Sequence, residues 1–364
     1  MFPAINLGTL ERYQAPTTGE RVQLSRIDPR DRSGLPYSKP EAKQATGADI
    51  ADPGLDLSAR NAAPRQAAKP FAPKWTRNMT AVPDGRTITI GSDLTVYRFG
   101  FGAMRLTGPG IWGEPRDRKA AIALLRRVVE SGVDFIDTAD SYGPEVSENL
   151  IAEALHPYPP DLVIATKGGL VRPGPDRWEP DCSAAHLRQA CEGSLRRLKL
   201  DRIDLYQLHT VDPRVPLPDS IGALVELQSA GKIRHIGASN VSLDQLAQAR
   251  GIAPIVSVQN RYNLQDRTHE AVVDECTRRG MPFLPWYPLG AGNLASATGK
   301  LAEIARRHNA KPSQVALAWL LRRSPVMLPI PGTSSVAHFE ENLAATRIQL
   351  SDDEVATLTN PASA

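Results

Sequence analysis

Between Phe99 and Ile330 the chain alternates short, apolar, β-rich runs with longer amphipathic stretches, a pattern that few folds accept. The runs are Phe99 to Ala103, Val133 to Asp137, Leu162 to Lys167, Ile203 to His209, Ile233 to Ser239, Ile255 to Gln259, Met281 to Trp286 and Met327 to Ile330. They are nearly continuous in apolar character, which is how strands buried on both faces of a parallel sheet read. The stretches between them include Asp117 to Ser131, Ser183 to Lys199, Pro218 to Gly231, Leu243 to Arg250, Thr268 to Gly280, Thr298 to His308 and Ser313 to Arg323. These have helical spacing, and several open near Asp, Ser or Thr and close on Gly. Eight strand–helix pairs in a segment of this size predict an α/β fold, a (β/α)8 TIM barrel. Ahead of them, Thr87 to Ile90 and Leu94 to Tyr97, joined through Gly91-Ser92-Asp93, read as a β-hairpin able to plug the barrel bottom.

Residues 1–78 are of another kind: rich in Pro, Ala, Arg and Asp, without a sustained period, and broken by Pro36, Pro40, Pro53-Gly54 and Pro64. They predict a disordered N-terminal extension ahead of a barrel domain at 79–364. An organellar transit peptide is argued against by Glu11, Glu20, Asp28, Asp31 and Glu41, and a start at Met79 is an alternative reading.

The partners follow from charge and cysteine usage. A net charge of +3 over 364 residues gives nucleic-acid binding no support, so a small molecule is the expected partner. Cys182, Cys191 and Cys276 are few and lack metal-ligand spacing, which predicts no metal and a reducing, cytoplasmic compartment. No apolar run is long enough to predict a membrane span. Oligomeric state is left open.

Three successive strand ends carry Asp137, Lys167 and His209, and Tyr142 follows Asp137 on the next loop. Each alone has an ordinary use: Asp137 as a cap or turn residue, Tyr142 in packing, His209 as a satisfied core histidine. Lys167 is harder to dismiss, because a buried ammonium needs a partner to offset its desolvation. In a parallel barrel all these strand ends open on one face, where barrel enzymes keep their chemistry. A buried ammonium beside Tyr142 would lower the phenol pKa towards neutrality.

Gly108-Pro109-Gly110-Ile111-Trp112-Gly113 matches a dinucleotide-binding Gly-x-Gly-x-x-Gly fingerprint, with Asp134 suitably downstream. In that motif the glycines open the helix directly, whereas here Glu114-Pro115-Arg116 intervene before the cap expected at Asp117. The favoured reading is a loop over the barrel mouth, with Trp112 a wall of the substrate pocket.

The ordered set Asp137, Tyr142, Lys167 and His209 resembles the tetrad of the aldo-keto reductase family. The resemblance runs from about Thr87 to Glu354. It includes Gly237-Ala238-Ser239-Asn240, Gln259-Asn260-Arg261-Tyr262-Asn263, Pro285-Trp286-Tyr287-Pro288-Leu289 and Ile330-Pro331-Gly332-Thr333-Ser334-Ser335. It implies hydride transfer between a nicotinamide and an aldehyde or ketone, with Tyr142 as proton donor, Lys167 and Asp137 behind it, and His209 orienting the carbonyl. It also implies Ser239, Asn240 and Gln259 on the carboxamide, Trp286 against the nicotinamide ring, and Pro288 and Leu289 among the coenzyme contacts. Gly332, Thr333 and Ser334 would hold phosphate at a helix N-terminus, and Glu341 and Asn342 the adenine. Where many members place Lys and Arg around the 2′-phosphate, this chain has Gly332 and His338. The implied coenzyme is NADP(H) ahead of NAD(H), by a reduced margin. A nucleotide-binding regulatory subunit is the alternative, which the intact tetrad disfavours.

Overall fold

The computed structural model describes residues 87–296 and 298–360. The extension expected at 1–78 lies outside the described residues. Strands β1 (Thr87–Ile90) and β2 (Leu94–Tyr97) form the expected antiparallel hairpin, with Thr87 opposite Tyr97 and Ile90 opposite Leu94. Gly91 turns it at φ 64°, a conformation that costs a side chain-bearing residue strain.

Six parallel strands follow. The first three are β3 (Phe101–Gly102), β4 (Phe135–Asp137) and β5 (Val163–Gly168). Next comes an inserted antiparallel hairpin, β6 (Leu170–Gly174) with β7 (Arg177–Pro180), in a segment that the sequence assigned to neither strand nor helix. The parallel sheet then resumes with β8 (Ile203–Leu208), β9 (Ile233–Ser239) and β10 (Ile255–Gln259), its six strands adjacent in chain order. The seventh and eighth runs are not regular strands. Phe283 bridges both Val258 and Met327, and Trp286 bridges Arg261. Pro282, Pro285, Pro329 and Pro331 explain this, since each removes a ladder donor. Gly100 N–H donates to Pro329 O at 2.9 Å, joining the last run to the segment before β3 and closing the (β/α)8 barrel.

Helices lie between the strands: α1 (Arg118–Glu130), α2 (Val146–Leu155), α3 (Ala184–Leu198), α4 (Leu217–Ser229), α5 (Leu243–Arg250), α6 (Glu270–Arg279), α7 (Gly299–Arg307), α8 (Pro312–Arg323), α9 (Val336–Ala344) and α10 (Asp352–Thr359). Asp117 caps α1 through Ala120 N–H, so the glycines at 108–113 precede the helix as a 3₁₀ turn and the dinucleotide-fingerprint reading fails. The stretches with legible helical spacing do not include α2, whose start at Glu145 has left-handed backbone and no side-chain cap.

Apolar side chains fill the layer between sheet and helices. Trp319 is fully buried and stacks on Tyr262, and Phe101 meets Phe339 edge to face. Among the described residues no helix is long and apolar enough to cross a membrane, and all three cysteines are buried and free.

Candidate active site

Lys167, near the end of β5, is 0% exposed, and each of its three N–H groups meets an acceptor. They reach Asp137 Oδ2 at 2.7 Å, Thr138 O at 2.8 Å and the Tyr142 hydroxyl at 3.1 Å. The other carboxylate oxygen of Asp137 accepts from Gln259 Nε2 at 2.8 Å and Gln207 Nε2 at 3.2 Å. Asp137 therefore faces one charged and two neutral donors from three different strands, which makes its buried charge tolerable. Tyr142 hangs from the loop after β4, its ring edge to face with His209 at 5.7 Å between centres. His209 follows β8, where its own N–H donates to Gly168 O, and Ser141 Oγ stands 3.4 Å from its Nδ1.

Burial comes first in setting the ionisation of this cluster. It raises the Tyr142 phenol, an effect that Lys167 opposes without cancelling, so the expected net lowering is not found. Lys167 is also desolvated, but the attraction of Asp137 and then Tyr142 outweighs that and raises it, keeping the ammonium charged. Burial holds His209 well below the ordinary imidazole range, and the nearby cations Lys167 and Arg172 add to this, so the ring is neutral. A buried phenol that keeps its proton, backed by a permanent cation and beside a neutral imidazole, can give up that proton to an oxyanion.

Around the same rim stand the carboxamide candidates. Ser239 Oγ donates to Gln259 O at 2.7 Å, Asn240 Nδ2 donates to His209 O at 2.9 Å, and Trp286 Nε1 donates to Asn240 Oδ1 at 2.9 Å. Asn240 takes φ 57°, a left-handed position that Asn accepts more readily than most residues. The helix after Val241 is capped by Ser242, so neither Ser239 nor Asn240 serves as its cap. Pro288 is buried, and Leu289 packs partly against the core.

Gly332, Thr333 and Ser334 lead into α9, whose Ser335 cap accepts from His338 N–H. The first turn of α9 carries no acidic residue, and its amides and the neighbouring hydroxyls are a donor set that fits a phosphate. His338 is exposed at that turn, Asn342 is buried, and Glu341 pairs with Lys311. A Cβ on Gly332 would stand 2.6 Å from Gly102 O, so the backbone leaves no room for a side chain at 332. Arg105 runs past instead, its Cγ 3.7 Å from that same point. Because Gly102 pairs with Asp137 in the sheet, this corner adjoins the tetrad rim.

Gln207, Arg105, Arg172 and Trp178 are site residues that the sequence did not single out. Gln207 was accessible in principle, because it lies two positions before His209 and a strand repeats its faces every two residues. Trp178 was hidden by its place in the unexpected β6–β7 hairpin. It lies edge to face with Tyr142 at 6.2 Å and with His209 at 6.4 Å. Trp112 is half-buried and bridges Gly143, the residue after Tyr142.

Residues 98–361 match the model of the Aldo/keto reductase family. An uncharacterized oxidoreductase of Schizosaccharomyces pombe is 52% identical over 272 residues, covering 75% of this chain and 88% of the relative. The pyridoxine 4-dehydrogenase of Escherichia coli (strain K12) is 46% identical over 278 residues, 75% of this chain and 96% of that protein. Among solved structures, an aldo-keto reductase from Klebsiella pneumoniae in complex with NADPH superposes with a TM-score of 0.65 at 29% identity, covering 75% of this chain and 93% of that one. With the barrel and the Asp137, Tyr142, Lys167 and His209 cluster at its rim, these matches establish that the chain belongs to the aldo/keto reductase family of oxidoreductases.

Proposed function

We propose that the protein reduces aldehyde or ketone carbonyls to alcohols with NADP(H), and that Tyr142 is the proton donor. The observation that carries this reading is the saturated Lys167 ammonium, with one N–H on Tyr142 and another on Asp137. The coenzyme, when bound, supplies the hydride that the carbonyl carbon accepts. His209, neutral at its place beside Tyr142, orients the carbonyl oxygen towards the phenol. Tyr142 passes its proton to the developing oxyanion, and Lys167 stabilises the phenolate left behind. Asp137, held by Gln207 and Gln259, fixes Lys167 in that position.

Ser239, Asn240 and Gln259 are assigned to the nicotinamide carboxamide, and Trp286 to the ring. The segment Gly332 to Ser334 with the α9 N-terminus takes phosphate, and Pro288, Leu289, His338, Glu341 and Asn342 complete the coenzyme contacts. Arg105 provides the fixed charge that Gly332 cannot carry, which favours NADP(H) over NAD(H). Trp112 and Trp178 wall the carbonyl site. The Escherichia coli relative makes pyridoxal a first substrate to try. The test is oxidation of NADPH and NADH against a panel of aldehydes and ketones that includes pyridoxal. Turnover faster with NADPH supports the reading, and its absence with every carbonyl refutes it.

A further inference from the structure

The carbonyl site is walled by segments outside the barrel strands: the turn at 108–113, the loop carrying Tyr142, and the β6–β7 hairpin. One side chain touches all three. Arg172, on β6, donates from Nη2 to Gly110 O at 2.8 Å and to Gly174 O at 3.4 Å. Its Nη1 donates to Ile111 O at 2.8 Å and Ser141 O at 3.0 Å, and its Nε to Arg177 O at 2.7 Å. These are the five N–H groups of a guanidinium, each on a main-chain carbonyl. Its central carbon lies 3.6 Å from the centre of the Trp178 ring and 5.8 Å from that of Trp112.

Arg172 is only 9% exposed, and among the described residues no carboxylate stands within ion-pair distance of it. Burial disfavours this cation, and the Asp176 carboxylate, beyond ion-pair distance, opposes that only in part, so carbonyl dipoles with an indole face supply the rest while they stay in place. The turn it holds is itself strained: Gly110 and Ile111 take φ 69° and 54°, and a β-branched residue there needs its surroundings to keep it. Ile111 then packs with Ala139 and Tyr142 in one small cluster, against which Trp178 rests.

We propose that Arg172 is the positioning residue of the carbonyl site, setting the attitude of Tyr142, Trp112 and Trp178 by clamping the main chain of three separate segments. It has no N–H left for substrate, so it acts through the groups it holds. The inference rests on the proposed function for its kinetic arm and is independent of it in its second arm.

The test uses Arg172→Lys, which keeps the charge but offers three N–H groups without a plane, and Arg172→Ala. Both should bind NADPH with the parent's dissociation constant and lose on the order of a hundredfold in kcat, as expected when a reacting group is displaced by about 1 Å. Guanidinium added to Arg172→Ala should restore turnover, and methylammonium should not. In parallel, amide hydrogen exchange should quicken at 108–113 and 140–143 in both variants while the barrel strands stay protected. The Arg172→Lys protein is expected to fold whatever becomes of the alanine variant, so parental turnover together with parental exchange in that protein overturns the inference. Loss of NADPH binding in step with turnover also overturns it, showing a general role in the fold. Parent protein inactive on every carbonyl would sink the functional reading alone, and the exchange result would still decide for or against Arg172.

Discussion

Lys167, fully buried, places its ammonium 3.1 Å from the hydroxyl of Tyr142, a residue only 6% exposed. Burial pushes the phenol up and the ammonium pulls it back, so the proton stays on Tyr142 until an oxyanion arrives. Asp137 and Thr138 accept the remaining two N–H groups of Lys167, which fixes the ammonium in direction as well as in charge.

Removing one partner of this buried pair should be expensive. Lys167→Met leaves the Asp137 carboxylate with two amides and no cation, and breaking a buried pair in this way costs about 3–5 kcal/mol. Adding Asp137→Asn removes the orphaned charge, so the double variant should recover part of the loss. Urea unfolding of the two single variants and the double variant measures this, and a double variant less stable than Lys167→Met would contradict it.

The barrel was legible because its strands and helices alternate in the chain, and the cluster because Asp137, Lys167 and His209 end consecutive runs with Tyr142 on the loop after the first of them. What escaped was local. The seventh and eighth runs look apolar enough for strands, but their prolines cannot donate, and only backbone geometry shows that single bridges remain. Helix α2 begins at a left-handed Glu145 without a capping side chain, so no start signal was present to read. The β6–β7 hairpin carries Arg172 and Trp178, and their contacts depend on residues distant in the chain, as with Arg172 and Ile111, 61 positions apart. Gly332 reads as a missing cation in sequence, whereas the structure shows a position closed by Gly102 O.

Coenzyme choice should follow Arg105. A charge-assisted hydrogen bond contributes roughly 1.5–3 kcal/mol, about ten- to a hundredfold in affinity. Arg105→Ala should weaken NADPH binding by that order and NADH binding far less, while His338→Arg should increase the preference for NADPH. Gly332→Lys should lower the melting temperature, because its Cβ meets backbone. Dissociation constants from tryptophan fluorescence quenching give the comparison, and an Arg105→Ala protein with unchanged preference would place the phosphate elsewhere.

Asp140 predicts a pH dependence of stability. Burial, reinforced by the like charge of Glu148, pushes its carboxyl up to about 8, and its Oδ1 has no hydrogen-bond partner. Above the ordinary value of 3.8 the unfolded chain has released this proton while the folded protein keeps it until about 8. The folded state binds more protons across that window, so this group makes stability fall as pH rises from about 4 to about 8, by on the order of 1 kcal/mol per unit at most. Asp140→Asn should remove that component, leaving a shallower decline between about pH 5 and about pH 8 in chemical denaturation. An unchanged slope would show that Asp140 does not hold its proton there.

The central claim is that Tyr142 gives the proton, and Tyr142→Phe tests it most directly. The substitution deletes one hydroxyl and keeps the ring that packs on Ile111 and Trp178. Positioned general-acid catalysis is worth ~10²–10⁴-fold, so single-turnover oxidation of bound NADPH by a carbonyl substrate should slow by that order. The NADPH dissociation constant should stay at the parent value. A Tyr142→Phe protein that binds NADPH normally and reduces the carbonyl at close to the parent rate would contradict the account.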